Sequence, residues 1–238
     1  MINHICDLNL SRIITAFVLF VKYLHISAAV EAEVELDVKG NGFHRTLIYH
    51  VTFKNLLNDN CLAAIYQELP STLYVNTDEI AELRRQKMST VCFTGETNTE
   101  LFAEKSEQQN VTACGPVISL STITLTIPVH QRYQYAQESG GYVNVTLPMP
   151  GLLLGCQERL KNHRVSKINL CEPCIDLAAK WREISYTVWD NYTWSMPVGN
   201  LSLLTLVSYV TLIITVLSAV LIAYSIRVNA LRNHRKED

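Results

Sequence analysis

Apolar and polar residues alternate through the middle of this chain. Val34, Leu36 and Val38 are separated by Glu35 and Asp37, with Glu31 and Glu33 continuing the acidic series. Successive side chains of an extended strand point to opposite faces, so the pattern predicts a strand with one apolar and one acidic face. Phe43, Leu47, Tyr49, Val51 and Phe53 share a second predicted face, against His44, Thr46, His50 and Thr52. From Thr122 the alternation is cleanest: Ile123, Leu125, Ile127 and Val129 oppose Thr122, Thr124, Thr126 and His130. Val143, Val145 and Leu147 predict a short strand beyond a Gly140-Gly141 loop, and "ISYTVWD" over 184–190 predicts a last one.

Helical signals are fewer. "NTDEIAELRRQK" opens with capping residues Asn76, Thr77 and Asp78 and carries acids early and bases late, which suits a short helix. "IDLAAKWRE", after Cys174, predicts another, and the polar run 94–109 reads as a surface loop. The expected fold is a mainly β, sandwich-like domain over residues 30–200.

Two segments break this pattern because they are apolar without alternation. "IITAFVLFV" follows Arg12 and precedes Ser27-Ala28-Ala29. It is too short for a bilayer, which needs about 20 residues, and reads as the core of a signal peptide occupying 1–29. Residues 201–226 contain no charge and would cross a hydrocarbon core of about 30 Å as a helix. Arg227, Arg232, Arg235 and Lys236 follow, so the positive-inside rule makes 227–238 a cytosolic tail. The expected arrangement is a single-pass type I membrane protein with most of its chain lumenal.

Cysteine content supports an oxidising compartment. Of seven cysteines, Cys6 belongs to the signal segment; Cys61, Cys92, Cys114, Cys156, Cys171 and Cys174 remain as disulfide candidates of undetermined pairing. Glycosylation sequons stand at Asn110, Asn144, Asn191 and Asn200, the last too close to the membrane segment to be a good acceptor. The formal net charge of −2 gives no reason to expect nucleic acid.

Catalytic chemistry finds little support. "CEPC", Cys171 to Cys174, has the spacing of a redox couple at a helix start, yet no repeated βαβ pattern surrounds it and four other cysteines offer structural partners. A closed zinc site would need a second paired cluster. His130, Arg132 and Tyr133 could provide a base and an anion site, without a nucleophile or paired carboxylates beside them. The acidic row Glu31, Glu33, Glu35 and Asp37 reads as the solvent face of an edge strand. No catalytic residue, cofactor or metal ligand is assigned.

Interaction signals are stronger. Ser208, Thr211, Thr215, Ser218 and Ser225 fall on one face of the membrane helix, a seam of small hydroxyl residues suited to close helix contact, although each hydroxyl can instead bond within its own helix. The terminal Arg235-Lys236-Glu237-Asp238 resembles dibasic retrieval signals of endoplasmic-reticulum membrane proteins.

The segments "ELPSTLYVNTDEIAELR", "IPVHQRY", "VTLPMPGLLLGC" and "MPVGNLSLLTLVSYVTLIITVLSAVL" resemble, in order and spacing, the PIG-X family, over residues 43–226 or thereabouts. The family signature falls on Pro128, Val129, His130, Arg132 and Tyr133. The chain departs from it at Ala136, where relatives often have proline, and at Asn76, Thr77 and Asp78, where they tend to show Asp-Pro-Tyr before a Glu matched by Glu79. The resemblance implies a non-catalytic subunit of glycosylphosphatidylinositol (GPI) mannosyltransferase I in the endoplasmic reticulum. Its implied partner is PIG-M, a multispanning enzyme that moves the first mannose from dolichol-phosphate-mannose onto the lipid precursor. His130, Arg132 and Tyr133, together with the hydroxyl seam, are the expected partner contacts. The competing readings are a cell-surface adhesion or receptor protein, which would carry mature glycans, and a lumenal oxidoreductase using Cys171 and Cys174.

Overall fold

The computed structural model describes residues 29–56, 60–86, 90–118, 121–160, 162–187 and 192–237. The signal peptide expected over 1–29, apart from Ala29, and the sequon Asn191 lie outside them. Among the described residues twelve strands form in chain order: β1 Glu31–Lys39, β2 His44–Lys54, β3 Cys61–Leu69, β4 Leu73–Tyr74, β5 Thr90–Gly95, β6 Gln109–Pro116, β7 Thr122–Gln131, β8 Gly141–Thr146, β9 Gly151–Cys156, β10 Arg182–Glu183, β11 Tyr186–Thr187 and β12 Thr193–Val198. One sheet has the order β11-β1-β2-β7-β4, a second β10-β9-β3-β6-β5, and β12 pairs with β8 alone. Every pairing is antiparallel except the short contact of β1 with β11.

The strands legible from alternation are those of the first sheet. Leu47, Tyr49, Val51 and Phe53 of β2 and Ile123, Leu125, Ile127 and Val129 of β7 are buried, as is Val34 of β1. They meet Ala63, Ile65, Val111, Leu152 and Leu154 from the second sheet in one core. This is the sandwich arrangement, closed by the burial of two apolar sheet faces against each other.

The second sheet differs because both of its faces are covered. Ala64, Cys92, Cys114 and Leu153 point away from the sandwich into a smaller cluster with Leu170, Cys171, Cys174 and Trp181. The segment after β9 therefore lies over the outer face of this sheet, and Cys92–Cys171 and Cys114–Cys174 disulfides fasten it there. The third disulfide, Cys61–Cys156, joins directly opposed residues of β3 and β9.

Two expectations need correction. "IDLAAKWRE" forms no α-helix but the 3-10 turn Cys174–Leu177 followed by the short strand β10, since disulfide bonds on both sides of Pro173 hold it flat against the sheet. Within 184–190 only Tyr186–Thr187 is strand among the described residues. The expected strand containing Val143 and Val145 forms as β8 and pairs with β12. The other expected helix forms over Thr77–Arg85, with the Asn76 side chain accepting from the backbone N–H groups of Asp78 and Glu79.

The C-terminal helix Leu204–Glu237 leaves the domain after a 3-10 turn, Leu201–Leu203. Residues Leu201–Ala230 are long and apolar enough to cross a membrane, and the apolar window is not buried against the domain.

Candidate partner surface and the cluster beneath it

The signature strand β7 runs through the middle of the first sheet, and its last residues emerge at one end. Pro128 and Val129 are buried with the core. His130 is partly exposed, Arg132 is buried to 1% exposure, and Tyr133 is 69% exposed. The expectation that His130, Arg132 and Tyr133 all present themselves to a partner is therefore corrected at Arg132. β7 ends at Gln131, Arg132 N–H still donates to the Thr72 carbonyl at 2.8 Å, and the Arg132 side chain is buried.

Arg132 is held from within. Its Nη1 donates to the carbonyls of Asn98 at 2.6 Å and Leu101 at 3.3 Å, and its guanidinium lies 4.6 Å from the Tyr74 ring centre. Arg132 thus fixes the long loop between β5 and β6 against the end of β7. Desolvation pulls its pKa below the ordinary arginine value, with Glu96 and Tyr74 acting in the opposite sense. Burial likewise pushes the Tyr74 phenol up, against the pull of Arg132.

Around this anchor lies a row of aromatic side chains. Tyr133 packs on Phe43 at 4.8 Å, and Tyr135 on Phe102 at 4.9 Å. The backbone N–H of Ala103 donates to the Tyr133 carbonyl at 2.9 Å, and that of Tyr135 donates to Glu104 Oε1 at 2.9 Å, so the loop is tied to the chain after β7. Tyr133, Tyr135 and Phe102 are all exposed. Sequence periodicity points to Tyr133 only, because Phe102 lies in a polar loop and Tyr135 in an irregular segment.

The same segment is clamped to the start of the membrane-type helix. Gln137 N–H donates to the Gly199 carbonyl at 2.9 Å, and Leu201 N–H donates to the Gln137 carbonyl at 2.8 Å. Asn200 caps the turn by accepting from Ser202, and its Nδ2 donates to Ser139 O at 3.3 Å. The sequon side chain at Asn200 is thereby engaged in structure.

His130 belongs to a different group. It stacks between His44 at 4.6 Å and Tyr74 at 5.2 Å, and its Nε2 lies 2.8 Å from Glu79 Oε2. His44 Nε2 lies 3.3 Å from the other carboxylate oxygen. Residues from β2, β7 and the short helix thus converge, a constellation hidden in the sequence because its members are far apart.

The remaining candidate residues are placed as follows. Cys171 and Cys174 do not bond to each other; each is buried and paired with a sheet cysteine, which removes the redox couple that the oxidoreductase reading requires. Asn144 is exposed on β8, whereas Asn110 is half-buried on β6 beside a fully buried Thr112. Ser208, Thr211, Thr215, Ser218 and Ser225 are exposed along the C-terminal helix. Thr215 Oγ1 donates to the Thr211 carbonyl at 2.5 Å and the Leu212 carbonyl at 3.0 Å, the within-helix alternative for that hydroxyl.

Comparison with known proteins adds a family. The PIG-X / PBN1 family profile matches residues 40–227. The human protein described as "GPI alpha-1,4-mannosyltransferase I, stabilizing subunit" is 28% identical over 203 residues, covering 80% of this chain and 78% of its own. The rat and mouse proteins of the same description are 27% and 26% identical, each over 196 residues, covering 78% of this chain and 78% and 77% of their own.

Proposed function

This chain belongs to the PIG-X / PBN1 family, and from that membership we propose that it is the non-catalytic, stabilising subunit of a GPI mannosyltransferase I. Its partner on this reading is a PIG-M-like multispanning enzyme that transfers the first mannose from dolichol-phosphate-mannose. The chain is a single-pass protein of the endoplasmic-reticulum membrane, with residues 1–29 a signal peptide, 30–200 lumenal, 201–226 spanning, and 227–238 cytosolic. Asn110, Asn144 and Asn191 are its glycan acceptors. A glycan on Asn110 is added before β6 folds, since Thr112 of the same sequon is buried in the native sheet.

The observation that carries the stabilising role is the exposed aromatic row beside a membrane-type helix. Tyr133 and Tyr135 are displayed by a segment that is hydrogen-bonded to the helix start, and Phe102 by the loop bonded to that segment. Tyrosine and other aromatics are enriched in the desolvated centres of protein interfaces, where they bury large area with little loss of side-chain entropy. A partner that crosses the membrane beside the hydroxyl seam can meet this row just above the bilayer. Small residues along Ser208, Thr211, Thr215, Ser218 and Ser225 let a second helix approach closely.

The test is the abundance of the catalytic subunit in cells that carry Tyr133→Ala, Tyr135→Ala and Phe102→Ala together. Partner level and GPI-anchored surface proteins are expected to fall several-fold while this subunit keeps its own level. Unchanged partner abundance, with the variant normally expressed, removes the row from the interface.

A further inference from the structure

We propose that His44, His130 and Glu79 form a binding site for a first-row divalent cation, Zn²⁺ foremost. The inference stands on these side chains alone and is independent of the stabilising role. His44 and His130 are directly opposed across β2 and β7. Opposed residues of an antiparallel pair have Cβ atoms about 4.5–5.5 Å apart on the same face, a separation two imidazoles can bridge by chelating one ion. Both Nε2 atoms point at the same carboxylate, 3.3 Å and 2.8 Å from its two oxygens. One ligand atom from each of the three residues lies within 4.8 Å of the others. A tetrahedral ion with ligands at about 2.0–2.2 Å holds neighbouring donors about 3.3 Å apart, so small side-chain rotations suffice.

The donor set is chemically apt. Two imidazoles and one carboxylate suit zinc, and three protein ligands leave a coordination position open to solvent. His130 is a rigid ligand because it is stacked between two rings, while His44 forms the open rim, with its side chain 55% exposed. Glu79 is the informative residue. A glutamate three positions after an N-cap commonly turns back to the cap's backbone N–H. Here the Asn76 side chain accepts from the Asp78 and Glu79 N–H groups, and the Glu79 carboxylate is aimed across at the two imidazoles. Arg132 directs its Nη1 to the Asn98 and Leu101 carbonyls. Bound metal would lock the short helix to the sheet edge next to the aromatic row.

The probe is Co²⁺ added to the full chain purified in detergent micelles, followed by visible d–d absorption and displaced by Zn²⁺. One ion per chain is expected, without thiolate charge-transfer bands, because the described cysteines are in disulfides. Loss of even an outer-shell partner weakens metal binding roughly 10–100-fold, so His44→Asn and Glu79→Gln should each do at least that. His50→Ala, at an exposed β2 histidine beside Thr124, should change nothing. Zn²⁺ should raise the melting temperature of the parent chain and leave that of His44→Asn unmoved. His44 is exposed, so that variant keeps the fold, as circular dichroism will show. Absence of the Co²⁺ spectrum in the parent chain, or an affinity unchanged from the parent in His44→Asn and Glu79→Gln, overturns the site and leaves the cluster a plain hydrogen-bonded clamp.

Discussion

Tyr49 shows how a single polar atom is accommodated between two apolar sheets. Its ring is fully buried, and its hydroxyl donates to Gln67 Oε1 at 2.8 Å across the sandwich. Gln67 is itself buried and spends its amide N–H groups on the carbonyls of Glu68 and Pro148. Tyr49→Phe deletes the donor and leaves a buried acceptor unsatisfied, which should cost about 1–3 kcal/mol in chemical denaturation. Burial also pushes the Tyr49 phenol well above its ordinary value, and pushes Tyr186 up to about 12. A phenol whose folded pKa is raised binds its proton more tightly in the native state. Its stability contribution is full below the unfolded value of 10.0 and is lost as pH rises beyond it, through about 12 for Tyr186. Urea midpoints measured from neutral to alkaline pH should therefore fall above that value, with a shallower fall in Tyr49→Phe. Arg132 is the residue the sequence misplaces. Alternation puts it on the face of His130, but β7 ends between them and the Arg132 side chain is buried against the loop carbonyls of Asn98 and Leu101.

The decisive element is the covering segment after β9. Gly155 lies beneath it, and a Cβ there would stand 2.4 Å from the Ala178 Cβ and 3.3 Å from the Trp181 ring. Gly155→Val should lift the segment and, as overpacking does, cost about 1–3 kcal/mol. Limited proteolysis should then cut residues near 178 faster, although the two disulfides keep the segment attached. This element also explains which strands are legible. β1, β2 and β7 alternate because one face of their sheet meets the core and the other meets solvent. "CLAAIYQEL" of β3 and "GLLLGC" of β9 are buried on both faces, so their patterns lose the period of two. The short helix was readable from its cap, because that signal is local.

At the scale of the molecule, the question is how rigidly the domain sits on its C-terminal helix. Gly140 adopts φ +66°, and a Cβ there would lie 2.9 Å from the Asn200 Cβ. The backbone bonds at Gln137, Gly199 and Leu201 cross the same point. Gly140→Val is strained by its dihedral and by this contact together. It should free the domain from the helix start with little effect on the melting temperature. Spin labels on an exposed β8 position and on the first helical turn should report a broadened distance distribution. If the distribution stays narrow, the junction is fixed by something other than this clamp.

The sequence by itself determined the fold class, the apolar helix and the family, because alternation, an uncharged run and ordered motifs are local properties of the chain. It also showed that six of the seven cysteines lie beyond the expected signal peptide, without showing their partners. Only the tertiary structure decided that Cys171 and Cys174 are separate staples, that Arg132 is an internal post, and that His44, Glu79 and His130 meet. Each of these depends on contacts between distant parts of the chain, and no spacing along the sequence encodes such distances.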